Sequence, residues 1–260
     1  MSILKLTVSL LLAAFFTAGP GLAAVGSWNG IGFTAWNGVA ITSWNGTGIS
    51  TGGSTPALIA SVEENGTANT VTTGSINTTG ANLIVVNVAW FYDASVDPDV
   101  TDSKGNTYTK LTRSTVNGCS STLFYCYAGT VGSGHTFTFA GTTTYPSIQV
   151  IALSNIATSP FDQQNGNTAS SPSTLTTGSI TPSQANTVAV IGTAYETASG
   201  TPTVNTSGFS TPVASAYDSG NSYGGAISYK VLTSSGALNP EWAFSPSQTR
   251  AAARIANFKY

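Results

Sequence analysis

Apolar residues fall in short runs along this chain, and after the first twenty-four residues none of them keeps a helical period. The run at 83–91, LIVVNVAWF, is almost continuously apolar and reads as a central strand. Similar runs cover 107–112, 122–127, 136–139, 148–153, 187–194, 226–232 and 254–259. Val, Ile, Thr and aromatic residues dominate them, and Gly, Pro and Asn separate them, which is the composition of strands joined by turns. HTFTF at 135–139 and TYTKL at 107–111 alternate, as half-buried strands do. Short strands with frequent turns predict an all-β fold, a β-sandwich of immunoglobulin-like or jelly-roll type.

The pattern occurs twice. TTGSI at Thr72 to Ile76 returns at Thr176 to Ile180, an offset of 104 residues. Ala81-Asn82 returns at the same offset as Ala185-Asn186, and an Asn-Gly precedes each copy, at Asn65-Gly66 and Asn165-Gly166. SIQVIALSNI at 147–156 and AAARIANFK at 251–259 close the two copies. A unit of about 100 residues is therefore used twice, over 57–158 and 159–260. Ser159-Pro160 is the boundary, and no linker follows it. That favours one closely packed, two-lobed body, and leaves open whether the halves form two sandwiches or share one.

A shorter repeat precedes the body. GSWNGIGF, TAWNGVAI and TSWNGTGI place Trp28, Trp36 and Trp44 in register with a period of eight, within residues 25–50. Each Trp is followed by Asn-Gly, whose residues accept the positive φ of a type I′ hairpin turn. A β-hairpin meander of four-to-six-residue strands is expected, with Trp36 opposite Val39 and Ile31 opposite Trp44. Apolar groups on both faces would make it pack on the body, on a copy of itself or on a ligand. STGGSTP at 50–56 reads as a flexible stretch, with 51–56 as the linker to the body.

Lys5, the apolar run 6–18, the break at Gly19-Pro20 and the small residues Ala23 and Ala24 predict a secretory signal peptide over 1–24. The run is shorter than the ~20 residues that span a bilayer, and no later segment is long enough, so no membrane span is expected in the mature chain. The expected location is extracellular or the cell surface. Eight basic and ten acidic side chains, 7% of the chain, stand against about a quarter in ordinary domains. The basic residues are scattered, which excludes a nucleic-acid footprint. Export would permit a disulfide. A strand from Ser121 to Ala128, however, separates Cys119 from Cys126 by over about 20 Å, beyond the ~7 Å between Cα atoms that a bridge needs. No disulfide is expected unless the chain turns at Ser120-Ser121; Cys126 reads as buried and Cys119 as a loop residue.

The succession of ANLIVV, DSKGNTYT at 102–109, LFYCYAG at 123–129, TYPSIQVIALSNI at 144–156, SPFDQQNG at 159–166 and ARIANFK resembles secreted bacterial Thr/Ser-rich β-sandwich modules of extracellular and cell-surface proteins. The resemblance covers about 57–260. It implies a non-catalytic module and carries no activity of its own. The Trp-Asn-Gly octads look like short repeats of surface and phage-virion proteins.

Candidate chemistry is sparse. Asp93, Asp97, Asp99 and Asp102, with Asn106, offer the oxygen ligands that a structural Ca²⁺ prefers, without EF-hand spacing; DSKGN is also good turn chemistry with no metal. No other cofactor is implied. His135 is the sole histidine and reads as a surface or hydrogen-bonded residue, with no nucleophile constellation around it and too few partners for zinc. Glu63, Glu64, Glu196 and Glu241 are the only glutamates, a thin supply for glycosidic acid/base work; Glu196 is expected to follow the second central strand. Flat aromatic faces suit sugar rings, so Trp28, Trp36, Trp44, Tyr92 and Tyr195 are the candidate ligand-binding residues, and Tyr217, Tyr223 and Trp242 belong to the same aromatic set, with Trp242 reading as core. The threonine runs lack a regular ladder and read as solvent-facing strand positions. Asn45, Asn65, Asn77 and Asn205 lie in N-x-S/T sequons. The expectation is a secreted surface or matrix protein that binds a glycan or another cell-surface polymer. The alternatives are self-association through the octads and, more remotely, a secreted hydrolase.

Overall fold

The computed structural model describes residues 54–91, 97–196, 200–209 and 212–260, and between 27 and 48 the backbone of six two-residue strands. The chain divides into two units between Gly53 and Ser54. Among the described residues there is no helix, and so none long and apolar enough to cross a membrane.

In the first unit β1 (Ser27–Trp28) pairs with β2 (Ile31–Gly32), β3 (Ala35–Trp36) with β4 (Val39–Ala40), and β5 (Ser43–Trp44) with β6 (Thr47–Gly48). Trp28, Trp36 and Trp44 lie opposite Ile31, Val39 and Thr47. The strands are shorter than expected, and each octad pairs within itself, so Ile31 faces Trp28 and not Trp44. Closing the nearest turn costs the least chain entropy, and an Asn-Gly in every octad makes that turn available three times.

The second unit holds both long repeats. In the first, β7 (Ala57–Asn65), β8 (Ala68–Thr72), β9 (Leu83–Phe91), β10 (Asp99–Asp102), β11 (Thr109–Lys110), β12 (Ser114–Val116), β13 (Cys119–Tyr127) and β14 (Phe137–Ser154) follow in order. A five-stranded sheet runs β7-β14-β9-β13-β11, with β12 also on β13, and the first half of β14 lies between β8 and β10. At the corner where β14 passes from one sheet to the other its register shifts between Thr144 and Ser147, and Tyr145 takes a φ of 51°. In the second repeat, β15 (Phe161–Ser170), β16 (Thr174–Thr176), β17 (Thr187–Glu196), β18 (Thr203–Val204), β19 (Ala214–Asp218), β20 (Tyr223–Leu232), β21 (Glu241–Ala243) and β22 (Arg250–Lys259) rebuild the same arrangement. The sheets are β15-β22-β17-β20-β19 and β16-β21-β18. The strand that is continuous in the first repeat is here divided into β21 and β22.

Each repeat is thus a sandwich with its own core. Trp90, Phe124, Phe137 and Phe139 fill the first, and Ile191, Tyr195, Trp242 and Phe244 the second. The two five-stranded sheets then pack back to back along a seam. Leu83, Val85 and Leu123 meet Val188, Val190 and Phe258 at one end, and Phe91 and Cys119 meet Ala194 and Tyr223 at the other. Strand β9 is buried at all nine positions and β17 at all ten. Even residues of β9 enter the sandwich core and odd residues the seam, which is why the sequence shows no alternation there. Each fully buried Leu, Ile, Val or Phe contributes about 1.5–3 kcal/mol. Equivalent residues from both repeats gather at each end of the seam, so the sheets are related by an approximate two-fold axis. Facing residues on β9 and β17 are offset by 105, one more than the TTGSI copies: Leu83 matches Val188, and Trp90 matches Tyr195.

Asn87 and its equivalent Gly192 meet at the middle of the seam. The Asn87 side chain is fully buried; its amide donates to Gln149 Oε1 at 2.6 Å and reaches the carbonyls of Thr193 and Ala226 across the seam at 3.1 and 3.3 Å. Ser121 Oγ donates to Asn87 Oδ1 at 2.9 Å. A Cβ on Gly192 would lie 2.3 Å from Asn87 Oδ1, and one on Gly225 2.6 Å from Gln149 Oε1. Glycine is required at both places by close approach, not by φ. Gly192→Ala is therefore expected to destabilise the protein by about 2 kcal/mol, a fall of roughly 5 °C in Tm. Asn87→Ala in the same chain should recover part of that loss, so thermal unfolding of the two single variants and the double variant should give a non-additive cycle.

Candidate functional site

A buried polar cluster sits at the end of β10. Asp102 closes that strand, and Gly105, at φ 74°, lets DSKGN turn back on it. The Asp102 carboxylate is fully enclosed, the residue's remaining exposure lying in its backbone. Oδ1 accepts from Lys104 N at 2.9 Å and Asn106 N at 3.1 Å; Oδ2 accepts from Asn106 Nδ2 at 2.8 Å and Tyr108 OH at 2.7 Å. His135 Nε2 stands 3.0 Å from the same Oδ2. The imidazole is fully buried and stacks on Phe137 with 4.3 Å between ring centres. Its Nδ1 lies 2.9 Å from Thr78 Oγ1. Thr78 Oγ1 also accepts from Gly132 N at 3.0 Å and reaches Gly132 O at 3.2 Å. Asn106 continues the lacing to Thr130, donating to its carbonyl at 2.9 Å and accepting from its amide at 2.6 Å.

Burial alone would raise the Asp102 pKa. Hydrogen bonds from Tyr108 and Asn106 and the contact with His135 outweigh it and hold the carboxyl down at about 2, against an ordinary 3.8. Burial, then the bond to Asp102, pushes the Tyr108 phenol well above its usual range. Asp102, His135 and Thr78 stand in the order of a carboxylate–imidazole–hydroxyl relay. Thr78 is fully buried, however, and its hydroxyl is engaged by Gly132, so the arrangement binds three loops together and presents no nucleophile.

The second repeat provides an internal comparison. Ile76 bridges His135 in the first repeat, and Ile180 bridges Leu238 in the second. The same fold is built there with an apolar residue, so the polar cluster is an addition to it. The three residues are far apart in sequence, and only an alignment of the two repeats, with His where its twin has Leu, would have drawn attention to them.

A second charged pair lies at the other end of the body. Glu196 does not follow β17 but ends it, buried. Its Oε2 is 2.6 Å from Arg250 Nε, and its Oε1 accepts from Arg250 Nη2 at 2.7 Å. Arg250 Nη1 donates to Asn117 O, which ties the first repeat to the second. Glu196 is thereby committed to an ion pair rather than poised for acid/base work.

The remaining sequence candidates are dispersed. Tyr195 is not an open platform: its ring is buried in the second core, its hydroxyl donates to Gly200 O at 3.1 Å, and Tyr217 stacks on it. Tyr223 is also buried, stacked on Tyr145, and Trp242 is core. Trp28, Trp36 and Trp44 hold equivalent backbone positions in their ribbons. Tyr92 and Asp93 lie outside the described residues. Asp97 is exposed and pairs with Lys110, Asp99 Oδ1 accepts its neighbour Val100 N at 2.8 Å, and Asp102 is surrounded by donors. A carboxylate already ringed by N–H and O–H groups is a poor cation ligand, and among the described residues no three His, Cys, Asp or Glu gather as a metal site. Cys119 and Cys126 are free thiols. Cys119 opens β13 and is buried, where a loop position was expected; burial, reinforced by Glu196, pushes its pKa up.

Comparison with protein-family models, curated proteins and solved structures gives no match.

The Asp102 cluster makes a pH prediction. A folded pKa below the unfolded one stabilises the protein above pH 3.8, and that contribution is lost as pH falls through about 2. Asp102→Asn is expected to cost about 1–3 kcal/mol at neutral pH and to flatten the acid limb of the stability curve. Denaturant unfolding from pH 7 to 2 would measure both.

Proposed function

We propose that this chain is an exported, non-catalytic surface or matrix protein, and that its Trp-Asn-Gly ribbons hold a polymer of repeating units, a glycan foremost. The observation that carries this reading is the equivalence of Trp28, Trp36 and Trp44, each the last residue of the first strand of its own two-stranded ribbon. Three like aromatics on three like hairpins suit a ligand that repeats, because each contact raises the effective concentration for the next, and indole faces suit the C–H faces of sugars. The body supports the reading from the other side. Its Tyr195 and Trp242 are spent on packing, and Ile59 is the one large apolar side chain exposed among the described residues. The body then serves as a rigid carrier, in keeping with the resemblance to secreted β-sandwich modules.

A second reading is assembly through the ribbons. Two-residue, two-stranded ribbons are too short to be stable alone, and their backbone edges can add to a neighbour's sheet.

Pull-down on insoluble polysaccharides and envelope preparations tests the first reading, comparing protein from Val25 with protein from Ser54. Retention should require the longer form. One Trp→Ala change should weaken retention about tenfold and all three should abolish it, the non-linear loss expected of multivalent contact. Equal retention of both forms would move recognition to the body. Light scattering that shows the longer form associated and the shorter monomeric, with no retention of either, would favour assembly.

A further inference from the structure

We propose that the seam is exchangeable between copies of this chain, so that the first repeat of one molecule can pair with the second repeat of another. Three features carry this. Each repeat has a complete core of its own, so a repeat keeps its sandwich when the seam opens.

The seam's two faces are also equivalent in shape but complementary only as an unlike pair. Joining two first repeats would bring Asn87 against Asn87 at the axis, where a Cβ at the facing position already falls 2.3 Å from Asn87 Oδ1. Joining two second repeats would set Gly192 against Gly192. It would also take from each buried Arg254, whose pKa burial lowers to about 10, the bond it makes across the seam to Ser114 Oγ at 3.1 Å. The surface that fits either repeat is therefore the other repeat, whichever molecule supplies it.

The third feature is the connection. Only residues 155–160 join β14 to β15. Asn155 and Ser159 there take φ values of 60° and 52°, in the left-handed region that costs a residue with a Cβ. Its first part is held to the first repeat, Asn82 Nδ2 donating to Ile156 O at 2.7 Å, and its last part to the second, Lys259 N donating to Pro160 O at 2.8 Å. Ala157 N also donates to Lys259 O at 3.0 Å, so the chain crosses from one repeat to the other between Ile156 and Ala157. Extended, six residues reach about 20 Å, and the left-handed conformations are released. A short, strained hinge between mutually complementary lobes is the arrangement that favours exchange. Because the pairing is unlike-to-unlike, two chains can close on each other or a row can continue.

The test uses protein from Val25, unfolded in guanidinium and refolded under reducing conditions at low and at high concentration. Size exclusion with light scattering then follows the products. The expected result is a dimer or larger species formed on refolding at high concentration that persists when isolated and diluted; association through the octads alone would reverse on dilution. Asn155→Gly with Ser159→Gly relieves the hinge without touching the seam and should lower the yield of that species on the order of tenfold. Monomer at every concentration, or a persistent dimer whose yield the hinge variant leaves unchanged, would overturn the proposal.

Discussion

Burial of both faces of the same strands is the constraint on which the body depends. Strands β9 and β17 each serve two cores at once, one inside their own sandwich and one in the seam. Most of their positions are apolar or small. Asn87, at the middle of β9, has its amide and carbonyl engaged, two of the acceptors belonging to the other repeat. In a desolvated layer a half-satisfied amide would cost more than an apolar residue. It would also be incompatible with any side chain at position 192, so one interaction sets both the register of the seam and the identity of its two halves.

That dependence explains what could be read from the sequence. The bounds of β9 are visible residue for residue, because a strand covered on both faces is a continuous apolar run. The duplication is visible because TTGSI and the closing strands recur. The short edge strands β10, β12, β16 and β18 are not visible in the sequence: they have two to four residues, too little for any period to register. Nor is the union of Thr136–Phe139 with Ile148–Leu153 into one strand, since Tyr145-Pro146 between them reads as a break, and it is the corner that makes the union possible. The shift from an offset of 104 to 105 exchanges which residues of β17 face the sandwich and which the seam, and that puts Tyr195 in a sandwich core, like Trp90, rather than in the seam, like Phe91.

The candidate chemistry was less legible for a different reason. Low charge leaves few ionisable groups, and those present were assigned by neighbourhood in the sequence. Asp93 to Asp102 looks like a cluster on paper. In the fold, Asp97 and Asp99 satisfy their own surroundings, while Asp102 turns inward to His135, 33 positions away. Glu196 and Arg250 likewise meet only because β17 and β22 are neighbours. Among the described residues Asp102, Glu196 and Arg250 use their charges to join loops and repeats.

The single strand β14 separates the two repeats in how they loosen. In the first repeat it carries hydrogen bonds from β8 and β10 through the corner to β7 and β9. Opening of the small sheet there pulls on the same backbone that lines the seam, so its amides should exchange together with the core as one cooperative unit. In the second repeat the corresponding path is cut between Ala243 and Arg250. The sheet β16-β21-β18 can fray there without disturbing β22, which makes it the softer cap of an otherwise near-symmetric pair.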